Sequence, residues 1–359
     1  MRIHLLVLGA VLQVLSVNSL FAYAENGHRV IGALADQLLA NKPAGDTVKK
    51  LLGNVSLERA STLPDELRGE DRARGSLSLP ENPELEKELL AFRAANPPHQ
   101  GDDYSHQPPS HHWFHYTDVP LQAANYAATK KGTFKWDIVQ MTAFCTRVLA
   151  GKEKPDNDLK ITPAVAVVLL SHFVGDIHQP LHVGALYMNK EGERLDPNTA
   201  ADALESRGGN NIQFGASNLH AYWDFDSVES CLTYHRRLLS KRADEYLPVH
   251  FAQKLADKEP EWKIEPTVAP EAWAEQWANQ ILPLGREAHD RLKFLPQQEF
   301  DRSRSGKPTL RWTAIELPHV GKSSYSVFAS KAVELEMNKA GWRLAALLEA
   351  ALGSPSKEP

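Results

Sequence analysis

Cysteine is nearly absent. Cys145 and Cys231 are the two in 359 residues, too few to staple a disulfide-built scaffold. Beyond the first 25 positions no run of 18 apolar residues occurs, which excludes a chain threaded through a bilayer by helices. A basic excess is missing too. Forty Lys and Arg face 45 Asp and Glu, a formal net charge of −5, so a positive surface alone does not explain nucleic-acid binding here. Any phosphate taken by this protein must be attracted by something besides side-chain charge. Strongly alternating stretches are scarce and no internal repeat is visible, so the expected class is mainly α. Against these absences stands one abundance, 15 histidines.

The first residues read as an export signal. Met1-Arg2 gives a positive start, residues 5–17 are mostly apolar, and Ala22 and Ala24 are small. That core is too short to span a bilayer, so a cleaved secretory peptide over residues 1–22 is expected, with a secreted or periplasmic product. Ala22-Tyr23-Ala24 allows cleavage after Ala22 or after Ala24. One bridge between Cys145 and Cys231 is permitted outside the cytoplasm, and the sequence does not establish it.

Most periodic segments are helical. Residues 27–39 place Val30, Ile31, Leu34 and Leu38 on one face. Thr162-Pro163 is a helix start, Thr capping the free amides and Pro losing nothing at the first position. Residues 164–174 are apolar nearly all round, so this helix should be central, with Pro180 ending it. Residues 271–281, 285–292 and 330–352 also read as helices. Residues 69–110 and 189–211 read as long loops, although Pro83–Ala95 can hold a short helix. A single domain over 23–352 with a polar tail at 353–359 is expected.

The sharpest signal is His172-Phe-Val-Gly-Asp176-Ile-His178-Gln-Pro-Leu-His182. His172 and Asp176, at i and i+4, leave one face of the buried helix, where both are costly unless paired or metal-bound. His220-Ala-Tyr-Trp-Asp224 repeats that spacing. Imidazole and carboxylate without thiolate suit Zn²⁺ in an open site. His178 should point elsewhere, and His99, His106, His111 and His112 read as solvated. Weaker candidates are His28, Asp65 and His115. Trp113 and Phe114 read as core.

Taken in order, these segments resemble the zinc-dependent single-strand-specific nucleases, related to bacterial zinc phospholipase C. The resemblance rests on Gly27-His28, Ala60-Ser61 with Asp65 and Arg68, His115-Tyr116, the His172–His182 block, Gly208-Gly209-Asn210, and Asn218-Leu219-His220 with Trp223-Asp224. It implies a mostly helical fold with three zinc ions in one cleft. One ion would take Asp65, His115, His172 and Asp176. A second would take His28, Asp176 as a bridge, and the mature N-terminus at Tyr23, where the family pattern has Trp ligating through its α-amino group and carbonyl. The third would take His182, His220 and Asp224. The resemblance further implies hydrolysis of single-stranded DNA, RNA and 3′-nucleotides to 5′-phosphate or dephosphorylated products, with no protein partner. In this reading Asp65 orients the attacking water and Arg68 holds phosphoryl oxygens. Tyr116 would stack a base, and Asp118 would accept from its edge. The rivals are a phospholipase C and an exported zinc-binding protein without catalysis. Tyr116 with Asp118, Asn218-Leu219-His220, and Asp224 in place of Glu look like the nuclease branch. Asp65 together with Arg68 favours catalysis over storage.

Overall fold

A computed structural model describes residues 24–99, 101, 103–154, 156–238, 248–261, 267–300, 309–318 and 323–353. The expected signal segment, Tyr23 and the tail after residue 353 lie outside the described residues. The described chain is mainly helical. Helices α1 (Ala24–Leu39), α2 (Pro43–Leu52), α3 (Leu57–Ala60), α4 (Leu63–Asp71) and α5 (Pro83–Ala95) come first, then α6 (Ile138–Leu149), α7 (Pro163–Ile177) and α8 (Pro180–Val183). Further on are α9 (Leu219–Ala221), α10 (Ser227–Leu238), α11 (Pro248–Ala256), α12 (Trp273–Asp290) and α13 (Tyr325–Leu352).

Helix α7 is the axis of the packing. Thr162 Oγ1 accepts the Val165 N–H, Pro163 takes the first turn, and every residue over 164–177 is buried. Each Val, Leu or Ile removed from water there contributes about 1.5–3 kcal/mol. Helices α1, α6 and α13 lie against it, and one cluster of buried apolar side chains reaches from Val30 to Leu348. Gly341 lets α13 close on α1, since a methyl group there would sit 2.5 Å from Leu34 Cδ2.

Three expectations are corrected. Helix α7 stops at Ile177, before Pro180, which instead opens α8. The segments expected as separate helices at 271–281 and 285–292 are largely one helix, α12, which runs through Pro283 and ends at Asp290. Leu292 then starts a strand. Strands β7 (Leu292–Phe300) and β8 (Thr309–Glu316) form an antiparallel ladder joined to β5 (Ile212–Phe214) and β6 (Ser217–Asn218) in the order β6-β5-β8-β7. Only short alternating runs mark them, Leu292 with Phe294 and Trp312 with Ala314 turned inward. A register shift between Leu295 and Gln298, spanning Pro296, breaks the pattern. Two-stranded ladders complete the sheet structure, β1 (Val119–Pro120) parallel to β2 (Gly184–Ala185) and β3 (Tyr187–Met188) antiparallel to β4 (Leu204–Glu205).

His178 does point away from Asp176. Its Nδ1–H donates to the Val174 carbonyl at 2.6 Å, leaving Nε2 to accept from Arg343 Nη1 at 2.7 Å. Arg343 also donates to Gln280 Oε1, and burial lowers its guanidinium to about 10. His178→Ala would leave a buried cation short of an acceptor, at a cost of about 2–3 kcal/mol. The expected result is a lower melting temperature with the metal content of the folded protein intact. Metal analysis beside a thermal melt checks both halves.

Candidate metal centre

The helices bring the histidines and carboxylates to one end of α7. His172 and Asp176 project from its last two turns. Helix α1 carries His28 to them, placing its Nε2 3.2 Å from Asp176 Oδ1 with its ring stacked on His172 at 3.9 Å between centroids. A 3₁₀ turn, His111–His115, delivers His115, whose Nδ1 is 3.1 Å from Asp176 Oδ2 and 3.0 Å from His172 Nε2. Helix α4 adds Asp65, with Oδ1 3.9 Å from His172 Nε2. Asp176 thus faces histidines from α1, α7 and the 3₁₀ turn at once, the position a bridging ligand needs. Gly175 makes the approach of α1 possible, because a Cβ there would lie 2.8 Å from His28 Nδ1.

A second group assembles alongside. Helix α8 turns His182 toward His220 and Asp224, with ring centroids of the two histidines 4.6 Å apart. Asp224 Oδ2 is 3.4 Å from His220 Nε2, and its Oδ1 is 3.7 Å from His182 Nε2. Asn218 caps α9 by accepting the Ala221 N–H, and a π turn at Tyr222–Asp226 carries Asp224. Gln179 Nε2 donates to Asp224 Oδ1 at 2.8 Å. The groups adjoin, since His182 Nδ1 is 3.9 Å from Asp176 Oδ1.

Backbone carbonyls set the histidine tautomers. His172, His182 and His220 each present Nδ1 to a carbonyl, of Ser61 at 2.7 Å, His115 at 2.7 Å and Gly208 at 2.8 Å. A carbonyl can only accept, so Nδ1 carries the proton and Nε2 is turned to the centre, the outer support that ligating imidazoles need. His182 Nε2 is buried without a hydrogen-bond partner. In three groups at this end of α7, His28/His172/Asp176, Asp65/His115/His172 and His182/His220/Asp224, the possible ligand atoms lie within 4.8 Å of one another; a fourth His/Asp group, Asp71/His111/His112, has its carboxylate already held by Arg93. Nitrogen and oxygen donors at that spacing fit a dication.

The electrostatics agree with such a site. Burial opposes ionisation of Asp176, yet the charges of His172 and His182 hold its carboxyl well below the usual range. Burial also opposes a charge on His182, but Asp176 and Asp224 raise it to about 9. Burial pushes His28, His115 and His220 down, keeping their lone pairs available. Asp176 is thus a fixed negative centre that holds protons on His172 and His182, a charge a dication would displace, while His28, His115 and His220 stay neutral beside it.

Gly175→Ala follows as a test of this geometry. The added methyl must displace His28 from Asp176, and metal affinity is expected to fall about 10- to 100-fold, the scale of misplacing a ligand's support. A zinc titration of the variant measures it; unchanged affinity would mean His28 is not a ligand.

The cleft above the centre is lined by Arg68, Tyr116 and Asp118 as well as by ligand candidates, and encloses about 390 Å³. Arg68 Nη1 is 3.2 Å from Asp65 Oδ1, and its side chain is 15% exposed, so it faces the cleft rather than bulk water. Tyr116 is half-buried, its OH 3.3 Å from Tyr104 OH and its ring edge-on to Phe134. Asp118 is buried beside it. Trp113 and Phe114 are buried as expected, although Trp113 also reaches the cleft wall. His111 and His112 are not solvated. Both rings hydrogen-bond Asp71 Oδ2, at 2.6 and 2.9 Å, while Arg93 Nη2 holds Oδ1 at 2.6 Å. Sequence reading missed them because Asp71 lies 40 residues away and no local spacing marks the contact. Cys145 and Cys231 are separate buried thiols, not a bridge. Cys231, His235 and Glu334 also gather, but Lys254 Nζ stands 2.6 Å from His235 Nδ1 and disfavours a cation there.

A helical fold built on α7, with three His/Asp groups able to hold metal beneath one cleft, defines the class. The chain belongs to the S1/P1 nuclease family, whose profile matches residues 23–353. It is 28% identical over 186 residues to Endonuclease 4 of Arabidopsis thaliana, covering 47% of this chain and 57% of that protein. It is 26% identical over 237 residues to Endonuclease 1 of the same plant, covering 64% of this chain and 61% of the relative. The chain therefore spans about three-fifths of the length of these curated relatives. Among the described residues no helix is long and apolar enough to cross a membrane.

Proposed function

We propose that this protein is an exported, zinc-dependent phosphodiesterase that cleaves single-stranded DNA and RNA to 5′-phosphate products and also removes phosphate from 3′-nucleotides. The observation that carries the reading is three adjoining His/Asp groups, with His115, His182, His220, Asp224 and Arg68 facing one cleft, in a chain of net negative charge. Three ions would be held: one by Asp65, His115, His172 and Asp176, one by His28, Asp176 and the N-terminus at Tyr23, one by His182, His220 and Asp224. When bound, such ions neutralise a phosphodiester and bring the pKa of water near 7.

The protein's own groups do the positioning. Asp65, grouped with His115 and His172, would accept a hydrogen bond from a water and so orient it. Arg68, aligned by Asp65, offers its guanidinium to phosphoryl oxygens as charge builds. Tyr116 stacks an unpaired base and Asp118 accepts from its edge, which favours strands whose base faces are exposed. Arg68→Ala is expected to keep its zinc and lose about 10²- to 10³-fold in kcat, read by steady-state kinetics beside metal analysis. Zinc loss instead would make Arg68 structural.

Parallel assays on single-stranded DNA, RNA, duplex DNA, a 3′-nucleotide and phosphatidylcholine test the reading. Preference for the unpaired strands with 5′-phosphate ends supports it; cleavage of the phospholipid alone overturns it. Tyr23 as a ligand rests on the resemblance, because its α-amino group, with a pKa of roughly 7.7–8.0, gives its proton up readily to zinc. N-terminal sequencing of the exported protein decides that part. A start at Tyr23 supports the ligand, and a start at Glu25 removes it.

A further inference from the structure

Beyond the groups that would handle the reacting phosphate, the cleft wall carries two more arginines. Arg72 and Arg207 both line it and both are exposed. Arg72 is the C-cap of α4, four positions after Arg68, so the two side chains leave the same side of that helix end, and both reach the cleft. Four residues of helix separate them by about 6 Å along the axis, the scale of one nucleotide step. Like charges at that spacing repel, and the positive charges of both also bear on His112, whose ring hydrogen-bonds Asp71 from the 3₁₀ turn. A helix end favours one cation; it gives no reason to stack two on the side facing a cleft.

Arg207 reaches the same cleft from a different part of the chain, under backbone strain. Its φ is +54°, followed by +55° at Gly208 and +84° at Gly209, a left-handed run that suits glycine and not arginine. This turn is held against the metal centre. The Gly208 carbonyl accepts His220 Nδ1–H, and a Cβ on Gly208 would lie 2.2 Å from the Leu181 carbonyl oxygen. The arginine therefore rides on a support tied to the third His/Asp group, and a strained residue in such a place points to use by a ligand.

We propose that Arg72 and Arg207 form a second phosphate subsite that takes a phosphodiester of the same strand next to the one at the metal centre. The inference rests on the nuclease reading and deepens it: the cleft binds a substrate with at least two phosphates more tightly than one with a single phosphate. A 3′-mononucleotide, with a single phosphate, has nothing to place there. A strand gains affinity from the subsite, and that gain falls as salt rises, because each contact releases condensed counterions.

The test is kinetic. Arg72→Ala, Arg207→Ala and the double variant are loaded with zinc and assayed on a single-stranded oligonucleotide and on a 3′-mononucleotide between 50 and 200 mM salt. For the double variant, KM for the oligonucleotide is expected to rise about tenfold or more at 0.1 M salt, and the salt slope of log kcat/KM to become shallower by about 1.4, or 0.7 per lost contact. The mononucleotide KM should move less than twofold. Arg72→Lys with Arg207→Lys should restore most of the slope. Equal shifts for both substrates, or an unchanged slope, would overturn the subsite even where the wild-type enzyme cleaves the oligonucleotide. A wild-type enzyme inactive on both nucleotide substrates but active on phosphatidylcholine would instead overturn the nuclease reading beneath it. Zinc content and melting temperature of each variant guard against misfolding.

Discussion

Replacing Asp176 with alanine is expected to leave the protein without measurable turnover and short of metal. Asp176 is fully buried and lies within 3.2 Å of ring nitrogens from His28, His115 and His172. No other carboxylate among the described residues meets three of the candidate ligands, so a bridging role falls to it. In the proposed centre its removal would take a ligand from two ions at once. Metal stabilisation of transition-state charge is worth several kcal/mol, and each 1.36 kcal/mol is tenfold in rate, so a loss of about a thousandfold or more is expected. Asp176→Asn keeps the shape and loses the charge, and should fail nearly as badly. His178→Ala, two residues on, should instead melt earlier with metal bound. Equal zinc content and turnover in the Asp176 and His178 variants would mean that the face assigned to the metal is wrong.

Chelation is expected to lower activity and thermal stability together. The folded chain gathers five imidazoles around Asp65, Asp176 and Asp224, an arrangement the unfolded chain does not have. An ion that binds only the folded state, at a free concentration 1,000 times its Kd, adds about 4 kcal/mol. With roughly 2–4 °C per kcal/mol for chains of 150–250 residues, and somewhat less for a longer one, stripping several ions should lower the melting temperature by about ten degrees or more. Readdition of zinc should restore both properties. Activity lost at constant melting temperature would place the metal outside this centre.

The grouping of candidate ligands was legible in sequence wherever one helix or turn carries two of them. His172 with Asp176 and His220 with Asp224 share faces by spacing alone, and Thr162-Pro163 marks where α7 begins. What joins those pairs is tertiary. The carbonyls of Ser61, His115 and Gly208 that fix the tautomers carry no side-chain signal. Asp71 gathers His111 and His112 across 40 residues of chain, so they read as solvated until the packing is seen. The sheet was missed because β7 is interrupted at Pro296 and its outer face is polar, which erases a clear alternation. Arg207 shows the converse case. A lone arginine before Gly208-Gly209 says nothing in sequence, and only its positive φ beside a ligand's support gives it meaning.

The central claim, that these groups form one trinuclear centre, is tested most directly by counting metal. The purified protein, loaded with zinc before exhaustive removal of loosely held ions, is measured by elemental analysis against amino-acid analysis. About three zinc ions per chain are expected from the donor set. One ion per chain, or none, would contradict the account.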